Sequence, residues 1–410
     1  MSSIKATCYL KTLICLNLVT WLKLELCLIL NEYLQQRLYS MSASSFSSNS
    51  ERPLPATDGI ANNITELIGN TDLLRINSLS DLTGCEILLK CEQQNPGGSI
   101  KDRAALQMVQ DAIAEGKLTP GMTIVEGTAG NTGIGLALVA KALGFKMLVV
   151  MPRGQAREKE LMITLFDAEL KLVDACPFAD PDHFYHTAKR LGEANDNYWW
   201  ADQFENISNS KAHFIHTGPE IWQQTQGKID ALVSVAGTGG TIAGNSRYLS
   251  EQNPQLQTWL VDPDGSGIYA YLKDGKYSAS GSSFTEGIGI MRLVENFRQA
   301  KIDKAITLPD LDLVAIARHV QEHDGIVLGS SAALNVAGAL YAAAKMGQGK
   351  TIVTFYCDLP ERSACKLYNE QFLTDKGFSG DSEAIAAMFA RYQAESASKV
   401  VSVDARDRLE

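Results

Sequence analysis

The chain has 410 residues, 45% of them hydrophobic and 20% charged, with a formal net charge of -10. That length exceeds what one hydrophobic core usually serves, so two domains are expected, and the composition fits a soluble globular protein. An acidic chain gains nothing from phosphate backbones, which excludes nucleic acid as an expected partner.

The first forty residues differ from the rest. Leu13 to Leu30 is mostly apolar but contains Lys23 and Glu25, and each charge near a bilayer centre costs about 2.5–3.5 kcal/mol on insertion scales. No small-residue cleavage site follows a short apolar core, so a secretory signal is not supported. A weakly marked transit peptide and an upstream extension before a true start at Met41 stay open as alternatives. Residues 1–50 are therefore set apart as an extension ending in a Ser-rich linker, Ser40–Ser50.

From Ile64 onward strands and helices alternate. Strand-like runs are Glu86–Cys91, Thr123–Glu126, Lys146–Met151 and Leu170–Val173, with helical spacing over Asp102–Gly116, Thr132–Leu143 and Glu158–Phe166. A second block has helices at His213–Thr225, Gly240–Ser250, Leu313–His323 and Ser331–Ala344, and strands at Ala231–Val235, Thr258–Asp262 and Thr351–Tyr356. Such alternation predicts an α/β fold of two domains, each a mostly parallel twisted sheet with helices on both faces. The break near Phe204–Lys211 divides an N-terminal domain, 51–206, from a C-terminal one, 207–376. Part of 51–95 is free to pack on the second domain. Residues 377–410 form a terminal amphipathic helix, Asp381–Ala397, and a tail. The eight cysteines form no C-x-x-C pair, and a chain this long needs no disulfide staples, so reduced thiols in a cytoplasmic protein are expected.

Three polar or glycine-rich loops each lead into a helix: NPGGSIKDR at 95–103, EGTAGNTG at 126–133 and AGTGGTIAG at 236–244. In the last, Gly237, Gly239 and Gly240 let backbone N–H groups converge on the positive end of the following helix, and Thr238 and Thr241 add hydroxyls, which suits a phosphate. A plain turn is the simpler reading. The loop lacks a P-loop ending and a GxGxxG with a following acid, which disfavours ATP and NAD. Lys101 stands at a helix start, where the positive helix end favours a neutral amine able to form a Schiff base. The simpler reading there is a solvated lysine paired with Asp102 or a residue one turn on. Thr128, Asn131 and Thr132 gather hydroxyls and an amide at another helix start, fit for a carboxylate or for an ordinary N-cap. His183 with His186 and His213 with His216 lack acidic or Cys companions, so no metal is expected. Trp199–Trp200 belong to a core or an interface.

Together the loops change the reading. In order and spacing, from about Asn63 to Phe372, the chain resembles the fold type II pyridoxal-phosphate enzymes, in particular cysteine synthase and cystathionine β-synthase. The resemblance implies pyridoxal 5'-phosphate as cofactor and Lys101, in NPGGSIKDR, as the lysine that carries it. It further implies that Asn131 bonds the ring hydroxyl and Gly237–Thr241 cradle the phosphate, with Ser331, in GSSAALN, at the pyridine nitrogen. The substrate carboxylate falls to the loop of Thr128, Ala129, Gly130 and Thr132 and to Gln203 in DQF. EGIG, Glu286–Gly289, also matches. A serine at the pyridine nitrogen leaves it unprotonated, which favours loss of a β-substituent over transamination. The implied reaction runs through an aminoacrylate, to which sulfide or a thiol adds, with Lys101 also the general base. A homodimer and a serine acetyltransferase partner are implied in the same way.

The chain departs from that pattern in several places. Ala129 stands for the usual Ser, Asp72 for a Pro, Asp167 for a Gly, and the late DSGERY-like segment reads CDLPERSACKLY, Cys357–Tyr368. VDPDGS, Val261–Ser266, is nearer the cystathionine β-synthase branch. The expected activity is cysteine synthesis from O-acetylserine and sulfide. A cysteine desulfhydrase or a cystathionine β-synthase on the same scaffold is the alternative, and a non-catalytic binding protein is the alternative of another class. Threonine dehydratases have a different lysine motif, SFKxRG.

Overall fold

The computed structural model describes residues 60–378 and 384–403. The expectations for the N-terminal extension, the Ser-rich linker and the last residues of the tail lie outside the described residues. Eleven strands are present among those described: β1 Leu73–Arg75, β2 Glu86–Lys90, β3 Thr123–Gly127, β4 Lys146–Pro152, β5 Glu169–Val173, β6 Tyr198–Trp200, β7 Ala231–Val235, β8 Gln257–Pro263, β9 Lys304–Leu308, β10 Thr351–Phe355 and β11 Val401–Ser402. Four helices position the site: α1 Lys101–Ala114, α2 Asn131–Leu143, α3 Gly240–Gln252 and α4 Ser330–Met346.

The strands form two sheets. The smaller, in the order β5-β4-β3-β6, is wholly parallel. The larger, β1-β2-β10-β7-β8-β9-β11, is parallel except for its two edge strands, β1 on β2 and β11 on β9. The early strands β1 and β2 thus belong to the larger sheet. Central strands such as β7 (ALVSV) and β4 (KMLVVMP) read as unbroken apolar runs because helices cover both faces. Helix α4 is apolar all round for the same reason, with every residue from Ser330 to Ala343 buried. It packs so closely on β8 that a Cβ on Gly338 would overlap the Val261 side chain.

The sequence pattern missed β1, β6, β9 and β11; the three-residue strands β1 and β6 carry no periodicity and are set by their pairing partners. The helix expected over His213–Thr225 is interrupted. Ser208–Ala212 is α-helical, His213–Thr217 makes a π-turn, and Gly218–Gln224 resumes the α-helix. The terminal helix spans Ile385–Ala394. Asp167 sits at φ 57, in the left-handed region that Asp tolerates better than most residues.

Topology places the site. In an open parallel sheet, ligands bind beyond the carboxyl ends of strands where the strand order reverses. The smaller sheet reverses between β3 and β6, and the larger between β7 and β10. The loops after these four strands are Thr128–Gly130, Ala201–Gln203, Ala236–Gly239 and Tyr356–Asp358.

Candidate active site

Residues of all four loops line one cavity of about 260 Å³. It brings together Lys101, Thr128, Ala129, Gly130, Asn131, Thr132, Gln203, Gly237, Thr238, Gly239, Thr241 and Ser331. Of the residues expected from sequence only Gly240 is off the wall. It starts α3, and a Cβ there would overlap the Asn209 amide.

Lys101 opens α1. The loop before it is stitched to the strand end after β10, through Ile100 N–H to the Cys357 carbonyl at 2.8 Å and a bridge between Ser99 and Asp358. Asp102 does not pair with the lysine. Its Oδ2 accepts from Gly97 N–H, and burial pushes its carboxyl up to about 7. Lys101 Nζ has no hydrogen bond or ion pair among the described residues. Its pKa is lowered, chiefly by burial, against the opposing pull of Cys357 and Asp358. Burial, more than the helix end invoked from sequence, favours a neutral amine here. Two residues along, the buried Arg103 binds Glu92 at 2.6 Å and Glu220 at 2.6 Å, anchoring the base of the loop.

Beyond β3 the wall is made of side chains. Thr128 Oγ1 accepts from Gly130 N–H at 3.2 Å, which leaves its O–H free to donate. Thr132 Oγ1 donates to Gln203 Oε1 at 2.6 Å, so Thr132 meets the cavity with its backbone N–H, one of the unpaired donors of a first helical turn. Gln203 Nε2 donates to Glu126 Oε1 at 3.0 Å and to the Gly127 carbonyl at 3.2 Å. Glu126 is wholly buried, and its other oxygen has no hydrogen-bond partner among the described residues. Burial, reinforced by Asp202, pushes its carboxyl up to about 8.

Beyond β7 the wall is backbone. Gly239 caps α3 with φ +84, and a Cβ on it would run into Phe297. A Cβ on Gly237 would overlap the Gly287 carbonyl oxygen, because the 286–289 loop lies directly against the cradle and is tied to it by Gly289 N–H to the Ala236 carbonyl at 2.8 Å. Two side chains brace the hydroxyls from behind. Asn209 Nδ2 donates to Thr238 Oγ1 at 2.9 Å, and His213 Nε2 lies 3.3 Å from Thr241 Oγ1. Burial holds the His213 imidazole well below its usual pKa and therefore neutral.

Ser331, at the start of α4, is buried beside Cys357. Burial pushes that thiol up to about 12, so it is neutral, and it accepts from Asn335 Nδ2 at 3.2 Å. Across the cavity Glu286 pairs with Lys159 and Lys366. Burial alone would raise its carboxyl, and the two ammonium groups bring it below the ordinary value. Sequence reasoning missed Glu126, Lys159, Cys357, Asp358 and Arg362 as site residues. Glu126 stood inside a quoted motif, and Cys357, Asp358 and Arg362 lay in a segment noted only as a departure.

The family described as "Pyridoxal-phosphate dependent enzyme" matches residues 64–358. The chain belongs to that family. It is 46% identical over 327 residues to Cysteine synthase 1 of Neurospora crassa, a match covering 78% of the chain and 87% of that relative. It is 42% identical over 330 residues to Cysteine synthase of Dictyostelium discoideum, with the same coverage of both. The solved O-acetyl serine sulfhydrylase isoform 3 of Entamoeba histolytica superposes with a TM-score of 0.73 at 29% identity, covering 85% of the chain and all of that structure. The enzyme's site fits pyridoxal phosphate. A half-buried lysine whose amine has no partner among the described residues suits the aldehyde, and a cradle where Cβ atoms would collide, opening on the N-terminus of a 13-residue helix, suits the phosphate.

Proposed function

We propose that the enzyme is a cysteine synthase, exchanging the β-substituent of O-acetylserine for sulfide to give L-cysteine. The observation that carries this reading is the Lys101 amine, without a partner among the described residues, in a cavity between the glycine cradle after β7 and the hydroxyl-bearing loop after β3. Relatives named cysteine synthase, 42–46% identical over most of the chain, support it.

Lys101 would carry the cofactor covalently, Gly237–Thr241 would hold its phosphate, Asn131 its ring hydroxyl and Ser331 its pyridine nitrogen. The bound cofactor supplies an electron sink for the carbanion at the substrate Cα. Thr128 O–H and the first-turn N–H groups of α2 orient the substrate carboxylate, with Gln203 fixing the Thr132 side chain behind them. The Lys101 amine, its pKa lowered by burial, would take the α-proton and stand ready to protonate the leaving group. Ser331 is a neutral donor and the Cys357 thiol beside it is neutral, so neither offers the pyridine nitrogen an anion to keep it protonated. That favours departure of the β-substituent. The same reading carries a homodimer working in the cytoplasm, with a serine acetyltransferase as partner. Sedimentation of the purified enzyme alone and with that acetyltransferase tests the two assemblies.

One observation favours cystathionine synthesis as a second reading. A further cavity of about 510 Å³ shares Phe184, Phe204, Ile288, Gly289 and Ile290 with the first, which leaves room for a thiol larger than sulfide. Product analysis decides, with O-acetylserine, serine and cysteine each incubated with sulfide, with homocysteine and with neither. Cysteine from O-acetylserine and sulfide is the expected product. Cystathionine as the main product supports the second reading, pyruvate and sulfide from cysteine alone mark a desulfhydrase, and no turnover anywhere would leave a binding protein.

A further inference from the structure

Asn131 is held from both sides by residues of the segment after β10. Its Nδ2 donates to Asp358 Oδ2 at 2.7 Å, and its Oδ1 accepts from Arg362 Nη1 at 2.7 Å. Arg362 Nη2 also donates to the Gly97 carbonyl, whose own N–H is held by Asp102, so the network runs from the Lys101 loop to the start of α2. Asp358 and Arg362 are both more than nine-tenths buried, and Asp358 Oδ1 has no hydrogen-bond partner among the described residues. A buried carboxylate oxygen left unpaired destabilises a fold, so the group calls for an explanation other than stability.

We propose that Asp358 and Arg362 are positioning residues that lock the Asn131 amide in one orientation, so that Asn131 meets the cofactor as an N–H donor and never through its carbonyl. The argument does not depend on how the amide's oxygen and nitrogen were assigned. A guanidinium has five donors and no acceptor. The flipped amide would set its N–H groups against Arg362 and its oxygen against the Asp358 carboxylate, which loses two charge-assisted hydrogen bonds together. Protonating Asp358 removes only half of that penalty, and Arg362 still forbids the flip. With one N–H on Asp358 and the carbonyl on a cation, the second N–H is the amide's remaining donor for a molecule in the cavity. A ring hydroxyl that is ionised, or becomes so, requires such a donor. Within CDLPER, Asp358 and Arg362 keep the D and R of the DSGERY-like segment, and the departure at Leu359 and Pro360 leaves both on Asn131.

The inference rests on Asn131 contacting the cofactor, and the experiment separates the two claims. Apoenzymes of the parent, Asn131→Ala, Asp358→Ala, Asp358→Asn and the double variant Asn131→Ala/Asp358→Ala are titrated with pyridoxal 5'-phosphate. Dissociation constants and visible spectra of the complexes are recorded, with no turnover measured. Asn131→Ala is expected to weaken binding by about tenfold and shift the spectrum, the loss of one hydrogen bond to a charged group. Asp358→Ala should reproduce much of that change, while Asp358→Asn, which still offers an acceptor, stays within about twofold of the parent. The double variant should bind no more weakly than Asn131→Ala alone, because Asp358 acts through Asn131. Additive losses, or a parent-like spectrum in Asp358→Ala, would overturn the lock while leaving the Asn131 contact standing. A parent-like Asn131→Ala would overturn the contact and the lock with it.

Discussion

The crevice after β7 and the crevice after β3 face one cavity but are made of different material. After β7 the lining is backbone, with glycines held where any Cβ would collide, and the one histidine behind it is buried and neutral. After β3 the lining is a web of side chains, Thr132 on Gln203 and Gln203 on Glu126, ending in a carboxyl with one unpaired oxygen. A backbone cradle has nothing to titrate and few rotamers to change, so it suits a group that stays. A side-chain web can shift its protons and contacts, so it suits a substrate that enters and leaves. Lys101 stands at the seam, tied by the backbone of its loop to the strand end after β10.

The largest effect should come at that seam. Lys101→Ala removes the amine assigned to both crevices' ligands, and a general base contributes about 10²–10⁴-fold. Activity should fall by at least that much. Borohydride reduction followed by peptide mass spectrometry should place the cofactor on Lys101 in the parent and on no residue in the variant. Cofactor trapped on a different lysine would sink the assignment.

The next effect separates the two materials. Gly237→Ala puts a methyl into the Gly287 carbonyl and must push the 286–289 loop outward. Overpacking of this kind costs about 1–3 kcal/mol, so cofactor affinity should drop by roughly five- to a hundredfold. The affinity of the cofactor-loaded fraction for substrate should change little. Equal losses in cofactor and substrate binding would break the division drawn here.

Glu126 tests the other crevice through pH. Its folded pKa of about 8 lies above the ordinary glutamate value of 4.5. The group therefore favours folding below about pH 4.5, and that contribution is lost as pH rises towards 8, at up to ~1.4 kcal/mol per unit. Asp202, raised to about 6, adds a slope of the same sign. Glu126→Gln keeps an acceptor for Gln203 and removes the titration. Its unfolding free energy, measured by denaturant from pH 5 to 8, should fall less with pH than the parent's. Cofactor retention, which rests on the untitrating cradle, should stay flat in both. Parallel stability slopes in the two proteins would show that Glu126 does not carry the burial penalty.

How far the site was legible follows the same division. Glycine turns before helix starts allow a backbone cradle as well as a plain turn, and the apolar runs of β4 and β7 mark parallel strands. Lys101 and the TAGNTG loop, read locally, were a solvated lysine and an ordinary N-cap, and only the resemblance carried by the three loops together marked them as site residues. The web behind β3 was not legible, because its bonds join residues 71 and 77 positions apart, and those of Asn131 reach 227 and 231 positions along the chain. No local pattern encodes such pairs. The strands β1 and β6 escaped likewise, being strands by virtue of their neighbours.

The smallest expected effect bears on whether the β3 crevice can be improved where the cradle cannot. Ala129 lines the cavity and is half-buried, the one position of its loop where the family's usual hydroxyl is missing. Thr128 O–H is free there, while the Thr132 hydroxyl is committed to Gln203. Ala129→Ser would therefore add a second side-chain donor for the substrate carboxylate. A hydrogen bond to a charged group is worth about 1.5–3 kcal/mol when well formed, and a water already filling the place would reduce the gain. An improvement of up to about tenfold in kcat/KM for O-acetylserine is the expected outcome. A contact made equally in ground and transition states lowers KM alone, whereas one that helps the cavity close raises kcat. Cofactor affinity should not move, since the cradle lies on the other sheet. If instead Ala129 makes room for a bulkier amino acid, the serine will shift preference between O-acetylserine and cysteine without improving either. Steady-state kinetics on both substrates separates these outcomes, and unchanged kcat/KM on both would mean that the loop from Thr128 to Gly133 does not hold the carboxylate.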